Sequence, residues 1–302
     1  MSDRLGFVIL HYNAITETIN CIRSIENMID IDNYHIIVVD NCSPNHTGIE
    51  LKERYALSEK ITVICNEENL GFARGNNIGY KYAKEILKCD FICIMNNDTL
   101  LIQKDFFRVI KTEYDNSQYG ILGPRIILKD ESDYHIYAKL PSREFLCEEL
   151  AIQKRDLFLM TWHLDHFVTA YKLMKNLFFK IIKKPYVSRY RELFLHEGLT
   201  ERHEDIILHG CCIVFSPTYI NEYAEAFHPD TFLYREEELL YLRCKKKQMK
   251  VVYNPKLLIK HLEDAATDTV VRKNREKIKF QKRNQVDSIQ ILLNEMRSMN
   301  ME

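Results

Sequence analysis

The chain contains no Cys-x-x-Cys pair, although it has nine cysteines among its 302 residues. An odd count without metal-type spacing reads as buried or free thiols in a reducing compartment, not as a disulfide framework. No apolar run of about 18 residues and no signal-peptide pattern occurs, which argues against a membrane span or a secretory leader. Charge of one sign is missing too, since 42 basic side chains face 43 acidic ones. That balance gives no global pull toward nucleic acid. Gly-x-Gly-x-x-Gly and the Gly-Lys-Ser/Thr loop are both absent, which lowers dinucleotide and P-loop readings. Internal repeats and low-complexity tracts are likewise not evident. With 46% hydrophobic residues, one large α/β domain with an attachment can bury an ample core.

What is present is a strand-then-polar-turn arrangement that occurs three times. Leu5-Gly6-Phe7-Val8-Ile9-Leu10 runs into His11-Tyr12-Asn13, and His35-Ile36-Ile37-Val38-Val39 runs into Asp40-Asn41-Cys42-Ser43. Phe91-Ile92-Cys93-Ile94-Met95 runs into Asn96-Asn97-Asp98-Thr99. Short continuous runs of this kind suit parallel strands buried on both faces. Thr16 to Met28 has a helical period, Ile61 to Cys65 reads as a further strand, and Phe72 to Leu87 reads as a helix. Such alternation implies right-handed βαβ units and a doubly wound sheet, whose ligands bind at the carboxyl edge.

At that edge Tyr12 can face a nucleobase and Asp40 can accept from a base N–H. Asp98 beside two amides suits a hard divalent cation, which often bridges a carboxylate to substrate phosphates. The same residue types also make Asx turns and helix N-caps, so Asp98 could instead cap a following helix. Gly71, Gly75 and Gly79 fall four apart and leave bare backbone where a ligand or a neighbouring strand comes close. Arg74 among them offers a fork of donors to a diphosphate. Glu236, Glu237 and Glu238 open a helical stretch, a placement that the helix dipole alone would favour. His261 follows the late strand-like run Val251 to Lys260.

Taken in order, Asn69-Leu70-Gly71-Phe72-Ala73-Arg74-Gly75-Asn76-Asn77-Ile78-Gly79, Asn96-Asn97-Asp98, His209-Gly210-Cys211, Phe232-Leu233-Tyr234-Arg235-Glu236-Glu237, His261 and Arg283-Asn284 complete a distributed pattern. The chain resembles the family 2 inverting glycosyltransferases of GT-A fold. It looks most like the bacterial rhamnosyltransferase-like members that build surface polysaccharides. The resemblance implies a GT-A (Rossmann-like) α/β fold, with a mostly parallel mixed sheet, helices on both faces, a helical insertion and a C-terminal helical tail. It divides the chain into a nucleotide-sugar half (1–128), an insertion (129–206), an acceptor-binding and catalytic half (207–268) and a basic tail (269–302).

By the same resemblance, the donor is a UDP- or dTDP-linked sugar held by Tyr12, Asn13, Asp40, Asn41, Ser43, Asn69, Gly71, Arg74, Asn76 and Asn97. Glu237 is the general base, with Glu236 and Glu238 as alternates. His209, Gly210 and Cys211 form an acceptor-side loop, while Asp98 and His261 hold Mn2+ or Mg2+. The acceptor is a glycan or a lipid-linked oligosaccharide, and the enzyme works in the cytoplasm without nucleic acid. Three departures stand against the family pattern. Asn-Asn-Asp replaces Asp-x-Asp, Glu237 and Leu239 stand where two aspartates are usual, and Leu262-Glu263-Asp264 replaces Gly-Ser after the histidine. They leave open a catalytically idle relative that binds nucleotide sugar or partners a true transferase. A nucleotidyltransferase would show a Gly-rich, Lys-containing loop where Tyr12-Asn13 stands.

Residues 141–206 break the α/β rhythm with aromatic and basic clusters, Leu157 to Trp162 and Leu177 to Pro185. The tail between Arg272 and Arg283 is also basic, with Lys273, Arg275, Lys277, Lys279 and Lys282. Such segments suit an interfacial helix on an anionic membrane, which would place the protein on the inner face of the cell membrane. A helical subdomain packed on the sheet, or a homodimer contact, accounts for them equally.

Overall fold

Uninterrupted β-branched runs become strands with two buried faces, and the computed structural model shows three of them side by side. It describes residues 3–162, 193–195, 198–262 and 275–301. β1 (Leu5–His11) lies between β2 (Tyr34–Asp40) and β4 (Phe91–Asn96), parallel to both, and β3 (Ile61–Cys65) continues beyond β2. The connections are α1 (Ile15–Met28), α2 (Thr47–Arg54) and α3 (Gly71–Lys81), the last continued by a π-helical turn over Tyr82–Ile86. Beyond β4 the directions mix. β8 (Cys212–Phe215) is antiparallel to β4 and to β6 (Ile121–Leu128), while β9 (Val251–His261) is parallel to β6. Two short strands, β5 (Thr99–Leu101) and β7 (His203–Glu204), run antiparallel to β9. The order across the sheet is β3-β2-β1-β4-β8-β6-β9-β5, with β7 also on β9.

Alternation along the strands feeds two cores. Val8, Ile37, Val39, Ile92 and Ile94 face one side of the sheet, against Ala73 and Tyr80 of α3, Leu239 and Leu240 of α7 (Glu236–Lys246), and Leu292 and Met296 of α8 (Arg275–Ser298). Phe7, Ile9, Ile36, Val38, Cys93 and Met95 face the other, against Cys21, Ile22 and Ile25 of α1 and Phe106 and Ile110 of α4 (Phe106–Ser117). Side chains of successive strand residues point to opposite faces, so a sheet covered on both sides needs apolar residues at every position. In β6 and β9 the register shifts at Pro124, and Asn254 and Leu258 of β9 oppose consecutive β6 residues. Pro124 and Pro255 lack the N–H that a regular ladder needs there.

Three expectations change. No helix follows Asp98, because Asn97 and Asp98 form a turn that leads into β5, so Asp98 is not a helix cap. Gly75 and Gly79 do not open onto a ligand. Cβ atoms there would lie 2.7 Å from Leu10 Cδ1 and 2.4 Å from Val8 Cγ1, so bare backbone is what seats α3 on β1. The tail is not an appendage, since α8 buries Ser288, Ile289, Leu292, Leu293 and Met296 at helical spacing. Its basic first half packs beside α5 (Arg143–Thr161), with Lys282 Nζ 2.9 Å from Gln153 Oε1 and 3.1 Å from Asp156 Oδ2. The Leu177–Pro185 stretch, Arg272, Lys273, Glu263 and Asp264 lie outside the described residues. Among the described residues no helix is long and apolar enough to cross a membrane.

Gly79→Ala tests the helix–strand seat. Alanine improves helix propensity by about 1 kcal/mol, but the added carbon meets a branched side chain of a fully buried strand. Overpacking of that kind costs about 1–3 kcal/mol, so the net change should be destabilising. Urea unfolding reads it, and a variant more stable than the parent would show that β1 yields freely.

Candidate functional site

Parallel pairing brings three strand ends to one edge, where His11 lies opposite Asp40 and Leu10 opposite Asn96. Tyr12 follows β1 and is 40% exposed, and Asn13 turns the chain at φ 63°. Asp40 is buried, and its Oδ1 accepts from the Ser43 hydroxyl at 2.5 Å. Its other oxygen lies where a Cβ on Gly48 would be only 2.0 Å away, so the first turn of α2 closes directly onto the carboxylate. A helix N-terminus favours negative charge there. His11, which the sequence places in the first polar turn without a role, is fully buried and ties β1 to α1 through Thr18 Oγ1 (2.7 Å) and to α2 through Thr47 Oγ1 (2.9 Å).

Several of the asparagines named as donor-site residues make hydrogen bonds that hold the loops at this edge. Asn41 donates to Asn69 Oδ1 (3.0 Å) and to the Gly71 carbonyl (3.1 Å), and accepts from the Leu70 N–H (2.9 Å). Asn69 Oδ1 in turn accepts from the Gly71 N–H at 2.9 Å. Gly71 has φ +75°, and a Cβ there would be 2.2 Å from the Phe232 carbonyl oxygen, so both conformation and contact require glycine. Asn76 is fully buried and donates to the Phe72 carbonyl at 3.0 Å. Asn97 donates to Thr18 Oγ1 at 3.1 Å, whereas Arg74 is exposed on the first turn of α3.

Further along the edge the structure brings Asp98, His261, His209 and Glu237 together from four segments. Thr99 pairs with His261 across β5 and β9, which sets Asp98 Oδ1 3.2 Å from His261 Nε2. The His261 and His209 rings are 5.8 Å apart, and His209 Nε2 is 3.9 Å from Glu237 Oε1. The Cys211 N–H donates to His209 Nδ1 at 3.2 Å, which places the ring proton on Nε2, facing Glu237. Burial pushes the His209 imidazole down to about 3, His261 acting in the same direction and Asp98 against it. Glu237 Oε1 accepts from the Gly210 N–H at 2.6 Å. His209 and Gly210 thus position a carboxylate, while Cys211, fully buried, shapes the turn.

Glu237 faces a cavity of about 630 Å3 whose wall also includes Phe72, Tyr137, Glu149, Arg235 and Gln285. Burial raises its carboxyl to about 8, helped by the Glu238 charge and opposed by the Gly210 N–H. Tyr234 (φ 77°) and Arg235 (φ 65°) are consecutive left-handed residues leading into α7. Arg235 donates to Glu149 Oε2 at 2.6 Å and to Glu238 Oε1 at 2.5 Å, linking α5 to α7. Sequence reasoning missed Tyr137, Glu149, Arg235 and Gln285. Only Arg235, beside the acid row, carried any local signal.

For a divalent cation the donor set is Asp98 and His261, since no group of three or more His, Cys, Asp or Glu that could hold one occurs among the described residues. One carboxylate and one imidazole form a mixed oxygen and nitrogen pair, a donor type that suits Mn2+ better than the oxygen-seeking Mg2+. His261 Nδ1 is buried without a hydrogen-bond partner. The ring therefore has polar capacity that the fold itself does not use.

The architecture is shared with solved structures. GalNAc-T7, crystallised with UDP, GalNAc and Mn2+, aligns over 97% of this chain and 48% of its own, with TM-score 0.59 and 11% identity. S. aureus TarS residues 1–349 align over 93% of this chain and 71% of their own, with TM-score 0.51 and 12% identity. The fold is GT-A. The pattern of the family described as Glycosyl transferase family 2 matches residues 7–181, and the chain belongs to that family. It is 30% identical over 135 residues to the dTDP-rhamnosyl transferase RfbF of Shigella flexneri, covering 45% of this chain and 43% of that one. It is 28% identical over 130 residues to the low-salt glycan biosynthesis hexosyltransferase Agl10 of Haloferax volcanii, covering 43% and 39%. The alignments thus span less than half the length of these curated relatives.

The raised Glu237 carboxyl makes stability depend on pH. Its folded value of about 8 exceeds the ordinary 4.5, so the folded state binds the proton more tightly. That stabilisation is full below about pH 4.5 and is lost as pH rises through about 8. Glu237→Gln keeps an acceptor for the Gly210 N–H without the ionisation. The variant should therefore gain on the parent between pH 5 and pH 9, by on the order of 4 kcal/mol. Thermal unfolding across that range reads the gain, and a pH-independent offset would refute the shift.

Proposed function

We propose that the protein is an inverting glycosyltransferase that moves a sugar from a UDP- or dTDP-linked donor to a hydroxyl of a glycan or lipid-linked acceptor, in cell-surface polysaccharide synthesis. The observation that carries this reading is the Glu237 carboxylate. It is held by the Gly210 N–H on the cavity side, while Asp98 and His261 lie beyond His209 on the nucleotide side. A base and a diphosphate site on opposite sides of a sugar suit in-line displacement, which inverts the anomeric carbon. The name of the dTDP-rhamnosyl transferase relative supports a dTDP-linked donor.

In this reading Tyr12, Asn13, Asp40 and Ser43 border the nucleoside, with the Asn41–Asn69 bonds holding the loop above them. Asn97 lies near the ribose and phosphates. Glu237 takes the proton of the acceptor hydroxyl as its oxygen attacks the anomeric carbon. The bond to the diphosphate oxygen breaks, and the diphosphate departs with the electron pair. Arg74 stabilises its charge from the first turn of α3. Asp98 and His261 would hold Mn2+ or Mg2+, which when bound supplies positive charge to the diphosphate.

Glu237→Gln should lower transfer about a hundred- to ten-thousandfold while donor binding persists. Asp98→Ala should remove the Mn2+ dependence of dTDP or UDP binding, measured by calorimetry. Parental transfer in Glu237→Gln removes it as base. Donor binding without hydrolysis or transfer in the parent would favour the idle relative.

A place on the inner membrane face is supported by exposed Phe158, Trp162 and Phe280 near exposed Lys154 and Arg283 on α5 and α8. Anionic vesicles should then bind the protein less as salt rises. Indifference to such vesicles at low salt removes this placement.

A further inference from the structure

The cavity in front of Glu237 has a charge imbalance that proton removal does not require. Among the described residues its wall carries four carboxyl groups, Glu149, Glu236, Glu237 and Glu238, of which burial keeps Glu237 and part of Glu236 protonated near neutral pH, against the single guanidinium of Arg235. That guanidinium is committed, because two of the four grip it and only 12% of its side chain is exposed. His209 has its Nδ1 engaged by the Cys211 N–H and its side chain is largely buried. An incoming anion therefore meets no available cation on the described wall, and a charge taken out of water without a partner is costly.

Glu236 differs from its neighbours. It is 7% exposed, and its Oε1 is buried with no hydrogen-bond partner, while the backbone N–H groups of Glu236 and Tyr234 act on the carboxyl. A buried acceptor left unmatched carries an uncompensated loss of hydration. A hydroxyl or ammonium donor from a ligand would offset it. The aromatic rings of Phe72, Tyr137 and Tyr234 on the same wall offer apolar faces to a sugar ring, and Gln285 adds an amide from α8.

We infer that this cavity takes an uncharged or amine-bearing sugar unit as acceptor, with Glu236 accepting a hydrogen bond from a hydroxyl or ammonium beside the reacting one, and that it rejects sugars bearing a carboxylate. The inference rests on the reading of Glu237 as the base that faces the acceptor. Selection here works by repulsion as well as attraction, since an anionic sugar would bring a charge that the wall cannot pair.

Ligand-observed NMR without donor tests it, using neutral, amino and uronic methyl glycosides of the gluco and galacto series on the full chain. Neutral and amino glycosides should bind, and the uronic ones at least about tenfold more weakly. Glu236→Gln should weaken the amino glycoside and narrow the uronic penalty severalfold, with dTDP and UDP binding unchanged. Glu149→Gln, which frees one arm of Arg235, should also narrow that penalty and serves where the first variant does not fold. Uronic glycosides that bind as tightly as neutral ones, or no binding by any of the three classes, would overturn the inference. If the ranking holds while Glu237→Gln still transfers sugar, the base assignment has failed and charge selection stands.

Discussion

Thr99 pairs with His261 between two antiparallel strands, and the rest of the site depends on that register. Side chains alternate faces along a strand, so a slip of one residue would send the His261 imidazole to the opposite side of the sheet. In the register adopted, Asp98 meets His261, whose ring approaches His209, whose Nε2 faces Glu237. The β5 strand has only three residues, but its neighbourhood is well secured. Asp98 O accepts from the Leu262 N–H at 3.0 Å, and Asn96 N–H donates to the Cys211 carbonyl at 2.9 Å. The two halves of the sheet are thereby locked together beside the chemistry. The strand ends of the parallel half and the Asp98–His261 pair keep their spacing because β4, β8, β6, β9 and β5 are successive strands of one sheet.

Placing three glutamates at the start of α7 sets electrostatics against packing. Acids suit a helix's first turn, yet Glu236 and Glu238 are buried and Glu237 is largely so. Burial disfavours the ionised form, and the carboxyls of Glu236 and Glu237 rise to about 7 and about 8. Tyr234 and Arg235 add left-handed backbone, which costs of order 1–3 kcal/mol at each non-glycine position. Arg235 offsets part of this by joining Glu149 and Glu238 in one buried cluster. Because breaking such a cluster leaves a charge unpaired, the segment has a narrow choice of conformations. That segment turns Glu237 toward the cavity, where burial raises its proton affinity.

How much of this could be read from the chain varies with the range of the interaction. β1, β2 and β4 were legible because parallel strands buried on both faces announce themselves as continuous β-branched runs. Their carboxyl edge followed from chain direction alone, and with it the grouping of Tyr12, Asp40 and Asp98. The roles of Asn41, Asn69 and Asn76 were not legible, since an amide that braces a loop and one that meets a ligand are the same residue type. Gly75 and Gly79 were ambiguous for a similar reason, as bare backbone serves a strand or a phosphate equally well. Only the positions of Leu10 and Val8 decide. Tyr137, Glu149 and Gln285 come from segments without nucleotide motifs, and no local pattern joins Glu149 to Arg235 across 86 positions.

The insertion and the tail have a common explanation in that wall. α5 and α8 pack on each other, Lys282 joining Asp156 and Gln153, and α8 is anchored in the core through Leu292 and Met296. Anchored in this way, α5 presents Glu149 to Arg235 and α8 presents Gln285 to the cavity. The parallel half of the sheet is built from short local βαβ units, which need no outside help to place their strand ends. The cavity in front of Glu237 closes only when helices distant in sequence meet across it. Glu149 and Gln285 are therefore where substitutions can alter that wall, whereas Leu292 and Met296 of α8 share a core with Val8, Ile37 and Ile92 of β1, β2 and β4.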